Sequence, residues 1–207
     1  ISGPSDQILE GLSGNTAAEK AAALEQSMTA MDQMVEMFYA HKGLSTASDA
    51  EPHNRVPAGR LNIRYQRMFA GAFMYAGGLH IGIEWPQFKE MVNGKPVIAD
   101  AEGRYQSGSL FGWGLSHEIG HEINEGAYAV AEVTNNYYPL LAQARDTNDS
   151  LRFKYEDVFK KTTSGARGKA SDGAVQLAMY WQLRLAYDAG GAYQLYDAYQ
   201  QAFDNRF

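Results

Sequence analysis

The chain of 207 residues contains no cysteine, and this absence excludes several kinds of site. Disulfides, zinc sites built from thiolates and thiol nucleophiles all require cysteine. Any bound transition metal must therefore be held by the five histidines and by carboxylates. The lack of disulfides does not identify a compartment, because many secreted bacterial proteins have none.

Basic residues and long apolar runs are also scarce. The chain has 18 Lys and Arg against 24 Asp and Glu, which gives a formal net charge of −6. Nucleic acid and anionic membrane surfaces require a basic patch, so neither is an expected partner. No stretch approaches the ~20 apolar residues of a membrane span, so we expect no membrane insertion.

The composition is otherwise that of an ordinary globular domain, with 45% hydrophobic and 20% charged residues. The length suits one domain over residues 1–207 with a sizeable core. The chain starts with Ile1 and shows no signal segment there, so we expect a domain excised from a larger protein.

One long helix is predicted near the start of the chain. Thr16 and Glu19 form a capping box, an apolar stripe rich in methionine follows at helical spacing, and Gly43 provides a stop. The sequence therefore predicts a helix over 16–42. We interpret the methionine stripe as a core-facing surface rather than a binding groove.

The pattern then changes from helix to strand. After a loop over 44–60, apolar and polar residues alternate over 61–66 and again over 79–85, which predicts two strands. The glycine-rich segment 70–78 is interpreted as their connection. Since a substrate peptide can add along the edge of a sheet, the strand 79–85 is a candidate substrate edge or, alternatively, a plain core strand.

The second half of the chain is predicted to be helical, with helices over 109–124, 127–145, 150–162, 171–189 and 191–204. The fold class expected from this order is α+β. It consists of a small β-containing N-terminal lobe (1–108) and a mostly helical C-terminal lobe (109–207).

The first of these helices contains the sequence His-Glu-x-x-His. His117 and His121 lie one turn apart on the same face, so both imidazoles can reach one Zn²⁺ at about 2.0–2.1 Å. Glu118 lies beside the pair, where its carboxylate can take a proton from water bound to the zinc. A surface helix with ordinary polar residues is the alternative, but Leu115 and Ile119 give this helix an apolar face.

A catalytic zinc needs a third protein ligand and one open position. The metzincin pattern would place a glycine and a third histidine where this chain has Asn124 and Ala127, so that class is excluded. Glu122 points off the histidine face, and Glu125 lies about 12 Å from His117 along the helix. A straight helix therefore does not supply the third ligand.

The third ligand is expected from the next predicted helix, after the break at Gly126. Glu132 follows His121 with ten residues between them, and its helix carries apolar neighbours that can pack it against the zinc helix. We predict that Glu132 is the third zinc ligand. The alternative is a glutamate on a solvated helix face.

These residues resemble one family. The zinc motif, the ten intervening residues and the sequence Glu-Val-Thr-Asn-Asn that follows are similar to the enhancin-like, mucin-degrading zinc metallopeptidases. Weaker likenesses extend from about residue 60 to the C-terminus, at Gly112-Trp113-Gly114, at 70–77 and at 180–183. The family often has a glutamine where this chain has Asn124.

The resemblance implies a gluzincin-like α+β fold with the zinc site between its lobes, one zinc ion, and two histidines and one glutamate as its ligands. It also implies a secreted or cell-surface bacterial protease that cuts O-glycosylated proteins, with carbohydrate-binding domains elsewhere in the full-length protein. Several members recognise the glycan beside the scissile bond. We expect the catalytic domain to be monomeric.

Further site residues are predicted from position and type. Asn136 follows Glu132 by four residues and is expected to orient a zinc histidine. Candidate oxyanion donors are Tyr137, Tyr138, His80 and Tyr180. Trp113 and Trp181 are possible sugar-stacking surfaces. Candidate substrate contacts are Trp85, Tyr137, Arg167 and Asp172; packing or a solvated loop is the alternative for each.

The functional prediction is a zinc endopeptidase in which Glu118 activates water bound to the zinc and then protonates the leaving amine. One alternative is a glycoprotein-binding module with a structural or inactive zinc site. Another is a zinc peptidase for unglycosylated protein or for cell-wall peptides.

Overall fold

The computed structural model describes residues 1–69, 71–84, 110–124, 126–127, 129–145, 150, 152–163 and 172–187. Two helices precede one small sheet and the remaining helices follow it, and this separation of helices from strands confirms the α+β class. The elements are α1 (Ser5–Gly11), α2 (Ala17–Lys42), β1 (Asn62–Tyr65), β2 (Met74–Ala76), β3 (His80–Ile83), α3 (Ser116–Ile123), α4 (Tyr137–Arg145), α5 (Tyr155–Thr163) and α6 (Gly173–Tyr187). A π-helical segment, Leu110–Leu115, leads directly into α3. Within these residues, no helix is both long and apolar enough to cross a membrane.

Helix α2 begins and ends where the sequence predicts. The Thr16 hydroxyl accepts a hydrogen bond from the backbone N–H of Glu19 (3.2 Å), and the Glu19 carboxylate accepts one from the N–H of Thr16 (2.9 Å). Gly43 ends the helix in the left-handed conformation, with φ = 72°. Met34 and Phe38 are fully buried, so the core-facing interpretation of the stripe is confirmed.

The sheet has the strand order β1–β3–β2, with β3 parallel to β1 and antiparallel to β2. Strands β1 and β3 lie within the two predicted segments. Strand β2, however, lies in the segment 70–78 that was interpreted as a connection. Because β3 is paired on both sides, the prediction that a substrate peptide adds along it is wrong; among the described strands, β2 and β1 are at the edges.

The two faces of the sheet differ in character. Ile63, Ile81 and Ile83 point into the core, whereas His80 and Gly82 lie on the opposite face. There the ring of Tyr75 covers Gly82 so closely that a Cβ would clash with it. The Tyr75 hydroxyl lies 3.0 Å from Nε2 of His80. His80 therefore belongs to the outer face of the sheet.

Helix α4 starts ten residues later than predicted, at Tyr137 rather than at residue 127. Residues 131–136 form a turn, and Glu132 within it has φ = 59°, which a right-handed helix does not allow. Pro139 lies in the first turn of α4, where its missing N–H leaves no helical bond unmade. Helices α5 and α6 begin at residues 155 and 173 rather than 150 and 171; the predicted helix 191–204 lies outside the described residues.

Helix α3 is attached to its neighbours by polar contacts as well as by its apolar face. The buried Lys42 ammonium, at the end of α2, donates to the carbonyl oxygen of Ile123 in the last turn of α3. The Glu122 carboxylate accepts a hydrogen bond from the N–H of Leu79, beside β3 (2.8 Å). The helix that carries the histidines is therefore fixed against both α2 and the sheet.

Gly120 allows the chain to fold back across α3. A Cβ at this position would clash with the carbonyl group of Asn135 and would lie 2.9 Å from the ring of Tyr138. The glycine therefore determines how closely the turn 131–136 approaches the two histidines.

Replacing Gly120 with Ala should lower the free energy of unfolding by about 1–3 kcal/mol, because the turn must move away from α3. Chemical denaturation measures this change. Gly126→Ala is the matched control, since nothing lies within 4 Å of its added methyl group. Equal effects of the two substitutions would contradict the close approach.

Candidate metal centre

The two histidines of α3 face a common point. Their ring centroids are 4.9 Å apart and the rings are nearly perpendicular, at 83°. Nε2 of His117 lies 3.3 Å from one carboxylate oxygen of Glu132, and Nε2 of His121 lies 3.2 Å from the other. The i, i+4 spacing thus brings both imidazoles to one carboxylate that comes from a different segment.

Glu132 reaches this point from a strained backbone. Its φ of 59° is unusual for a residue other than glycine, and such strain occurs at functional sites. Asn136 stabilises the turn, because its Nδ2 donates to the carbonyl oxygen of Glu132 (2.8 Å). The Glu132 side chain is 65% exposed, so the point where the three residues meet is open to solvent.

The distances from the two ring nitrogens to the two Glu132 oxygens are of the size found around a zinc ion. Bonds of 2.0–2.1 Å in tetrahedral geometry place neighbouring ligand atoms about 3.3–3.4 Å apart. The two observed nitrogen–oxygen separations, 3.3 and 3.2 Å, are close to this value. Two imidazoles and a carboxylate are also the donor set of a known class of catalytic zinc site.

The side-chain amide of Asn135 also lies close to both histidines. Nδ2 of Asn135 lies 2.9 Å from Nε2 of His121 and 3.2 Å from Nε2 of His117. Its amide protons, which carry partial positive charge, therefore face both ring nitrogens. The Oδ1 atom of the same buried amide has no hydrogen-bond partner among the described residues.

A second carboxylate lies close to the histidines. The ligand atoms of His117, Glu118 and His121 all lie within 4.8 Å of one another. Glu118 is only 7% exposed, whereas Glu132 contacts both imidazoles directly. Two carboxylates, those of Glu118 and Glu132, therefore lie close to the pair of histidines.

Burial favours the neutral forms of Glu118 and His117 in the metal-free protein. Loss of hydration raises the pKa of Glu118 to about 7, and the charges of Glu132 and Glu122 add to this rise. Burial lowers the pKa of His117, although its hydrogen bond to Asn136 and the charge of Glu132 oppose the change. A neutral imidazole is the form that binds a metal.

Asn136 and Arg152 form a chain of contacts behind His117. Oδ1 of Asn136 lies 2.8 Å from Nδ1 of His117 and also accepts a hydrogen bond from Nε of Arg152 (2.8 Å). Since an amide oxygen only accepts, Nδ1 of His117 carries the proton and Nε2 keeps its lone pair. The Arg152 guanidinium lies 4.2 Å above the ring of Trp113.

Comparison with known proteins shows to which family the chain belongs. The sequence pattern of the family described as Peptidase M60, enhancin and enhancin-like matches residues 15–205. The chain belongs to this family. Comparison with curated protein sequences found no match.

Several solved structures share the fold. A conserved protein of unknown function from Bacillus anthracis is 20% identical, with a TM-score of 0.63, over 97% of this chain and 36% of that one. A structure with the catalytic domain of this family from Clostridium perfringens ZmpB is 24% identical, with a TM-score of 0.60, over 87% of this chain and 18% of that one. The corresponding domain of Clostridium perfringens ZmpC, solved with the sialyl T antigen, is 22% identical, with a TM-score of 0.55. The match covers 89% of this chain and 36% of that one.

These likenesses establish the fold of the enhancin-like peptidase domain. A further solved structure of the same kind is described as the ZmpB metallopeptidase from Clostridium perfringens. The chain spans between about a fifth and two fifths of the length of the solved chains it matches.

One of the residues predicted to contact substrate in this enhancin-like domain, Tyr137, lies in the core. Tyr137 is 1% exposed and packs among Tyr138, Trp181 and His41. The prediction that Tyr137 contacts substrate is therefore wrong, because its ring is part of the core. Trp85 and Arg167 lie outside the described residues.

Asp172 also has a role within the chain. One of its carboxylate oxygens accepts a hydrogen bond from the N–H of Val175 in the first turn of α6 (3.1 Å), and the other accepts one from the Lys161 ammonium (2.8 Å). Both oxygens therefore stabilise the junction of α5 and α6. Asp172 therefore caps α6, and its predicted contact with a glycan stays a prediction.

The structure also locates two candidate oxyanion donors, Tyr138 and Tyr180, and one candidate sugar-stacking surface, Trp113. Tyr138 is fully buried, with its ring against Phe38, and Tyr180 packs against the core. One face of Trp113 is covered by the Arg152 guanidinium. Arg152 itself was not predicted, because it lies outside any motif and no spacing relates it to the histidines.

The raised pKa of Glu118 predicts how the stability of the metal-free protein depends on pH. A carboxyl with a raised folded-state pKa contributes stability that is present below its unfolded pKa, 4.5, and is lost as the pH rises through about 7. Glu118→Gln removes this loss. Between pH 5 and 8 the variant should therefore gain about 2–3 kcal/mol in unfolding free energy relative to the unsubstituted protein.

Denaturant titrations of metal-free protein at the two pH values measure this difference. The exposed Glu36→Gln is a control that should show no such gain. His117 contributes in the opposite sense in both proteins, since its lowered pKa costs stability as the pH falls. An identical pH dependence with and without Glu118 would contradict the effect of burial on this carboxyl.

Proposed function

We propose that this chain is the catalytic domain of a zinc endopeptidase that cleaves O-glycosylated proteins. The observation that carries the proposal is the meeting of two imidazole nitrogens and the Glu132 carboxylate at separations of 3.2 and 3.3 Å, with Glu118 beside them. Membership of a family of metallopeptidases supports the same conclusion.

His117, His121 and Glu132 would hold the ion. Zinc, when bound, supplies Lewis-acid polarisation of the scissile carbonyl and lowers the pKa of water. Glu118 is buried beside the two histidines, and a carboxylate in this position can take up a proton and give it back. Its assigned role is to accept a proton from the attacking water and deliver it to the leaving amine.

Asn136 is assigned the role of orienting His117. Its oxygen fixes the proton on Nδ1, so that Nε2 faces the metal position. The same amide donates to the carbonyl oxygen of Glu132. Asn136 thereby links two of the three proposed ligands.

The site is accessible to a polypeptide substrate. The Glu132 side chain is 65% exposed and that of His121 is 32% exposed, so the ligands open to solvent on one side. Strand β2 is at the edge of the sheet in the described residues and packs against α3. We assign the substrate backbone to this edge in place of the predicted strand 79–85.

The glycoprotein substrate and the location rest on the relatives. The ZmpC domain was solved with the sialyl T antigen, and ZmpB domains were solved together with carbohydrate-binding modules. By analogy we propose an O-glycosylated substrate, a secreted or cell-surface location and carbohydrate-binding domains elsewhere in the protein. The gluzincin-like arrangement, with the site between two lobes of a monomeric domain, is part of the same proposal.

Mass spectrometry of the products from one O-glycosylated protein of known glycan structure tests this function. The substrate is incubated intact, after enzymatic removal of its glycans, and intact with a zinc chelator. We expect peptide-bond cleavage beside a glycan only in the first sample. Equal cleavage of the deglycosylated protein would favour a general peptidase, and binding without chelator-sensitive cleavage would favour a binding module.

A further inference from the structure

Arg152 is held in place beside the metal centre by three kinds of contact. Its Nε donates to Oδ1 of Asn136 (2.8 Å), and its guanidinium lies 4.2 Å above the ring of Trp113. Its own backbone N–H donates to the hydroxyl of Ser150 (3.1 Å), which also accepts from the N–H of Phe153 (3.3 Å). Both ends of the side chain are therefore anchored.

The anchored Arg152 side chain fixes the orientation of the Asn136 amide. Its oxygen contacts Nδ1 of His117, and its nitrogen donates to the carbonyl oxygen of Glu132. An amide rotated by half a turn would exchange these atoms and lose both contacts. The hydrogen bond from Arg152 to the oxygen opposes this rotation, because Arg152 can only donate.

Trp113 connects the arginine to the zinc helix itself. It lies in the π-helical segment that runs directly into α3, and its ring centroid is 5.5 Å from that of His117. The surface on which the guanidinium lies is therefore part of the same continuous helix as the histidine. Arg152 joins that helix to the turn that carries Glu132.

We propose that Arg152 is a positioning residue that, through Asn136, holds His117 and Glu132 in the arrangement that binds the metal. This inference rests on the proposed zinc site. Arg152 is not one of the proposed ligands; one of its terminal nitrogens lies 3.5 Å from Nδ1 of His117, the ring nitrogen that is not assigned to the metal.

The loss of the Arg152 charge and the loss of its positioning role should change the zinc affinity in opposite directions. A guanidinium close to a cation opposes its binding, so loss of the positive charge alone would strengthen zinc binding. Loss of a group that orients metal ligands weakens binding, typically by about 10–100-fold. The sign of the change in zinc affinity therefore distinguishes the two effects.

Competition with a chromophoric chelator measures the zinc affinity of the whole chain. Arg152→Met keeps the apolar stem over Trp113 and removes the hydrogen bond; we expect its affinity to fall about tenfold. Arg152→Lys keeps the charge but lacks the planar guanidinium, and its affinity should also fall. In an Asn136→Ala background, Arg152→Met should cause no further loss.

Arg184→Met is the matched control, because Arg184 also lies over a tryptophan, Trp181, at 5.6 Å and is not assigned to the metal centre. Its zinc affinity should be unchanged. The visible spectrum of the Co²⁺-loaded protein gives a second readout: it should change in Arg152→Met and stay the same in Arg184→Met.

Unchanged or increased zinc affinity in both Arg152 variants would overturn the inference, as would full additivity with Asn136→Ala. Failure of the unsubstituted protein to bind zinc would instead overturn the proposed function. The Arg152→Lys variant keeps the test available if Arg152→Met does not fold.

Discussion

Replacing Glu118 with Gln is expected to abolish peptide-bond cleavage while zinc stays bound. Gln has nearly the same shape and size, but its amide cannot accept and return a proton. Loss of a general acid–base group lowers kcat by about 10²–10⁴-fold. Because Glu132 rather than Glu118 is the proposed third ligand, the zinc content should remain at one ion per chain.

Steady-state kinetics on a glycoprotein substrate, together with elemental analysis, measure both quantities. Glu36→Gln is the control, since Glu36 is exposed on α2 and is not assigned to the metal centre. Retained activity in Glu118→Gln would exclude Glu118 as the base. Loss of zinc together with activity would instead make Glu118 a ligand.

Replacing Glu132 with Ala is expected to remove zinc from the protein. Glu132 contacts both imidazoles, and its loss leaves only two protein ligands. The zinc affinity should fall by more than about 100-fold, which exceeds the usual effect of groups that only orient ligands. The metal-free protein should unfold at nearly the same denaturant concentration, because the side chain is mostly exposed.

Equilibrium dialysis against buffered zinc measures this loss, and the exposed Glu36→Ala provides the control. Glu132→Gln separates the effect of charge from that of shape, since it keeps one oxygen ligand and removes the negative charge. Its zinc affinity should lie between those of the unsubstituted protein and Glu132→Ala. Unchanged zinc content in Glu132→Ala would show that the third ligand comes from another residue.

The local signals in the sequence were reliable where a short stretch determines its own conformation. The capping box of Thr16 and Glu19 and the stop at Gly43 set the ends of α2. The apolar stripe of the same helix was correctly assigned to the core. The alternation at Asn62–Tyr65 and His80–Ile83 was similarly sufficient for two strands.

The structure differs from the sequence-based predictions where distant residues decide the local structure. Residues 131–136 form a turn where the helical period predicts a helix, and the Asn136 side chain stabilises this turn by donating to the carbonyl oxygen of Glu132. Strand β2 has only three residues beside a glycine-rich segment, so its pairing with β3 leaves little periodicity to detect.

In the candidate site too, features that depend on spacing along the chain can be predicted, and features that depend on contacts between distant residues cannot. The spacing of His117 and His121 and the distance to Glu132 along the chain were enough to propose the ligands. The residue type of Tyr137 suits a binding surface, but its ring is part of the core, and only the folded structure shows this burial. Arg152 could not be predicted, because only folding brings it to Asn136.

X-ray diffraction from crystals of the zinc-loaded protein, measured on both sides of the zinc absorption edge, tests the central claim most directly. We expect one anomalous peak at bonding distance, about 2.0–2.2 Å, from Nε2 of His117, Nε2 of His121 and a carboxylate oxygen of Glu132. The Glu118 carboxylate should lie outside bonding distance. A zinc ion bonded to Glu118 in place of Glu132, or no peak at the two histidines, would contradict the account.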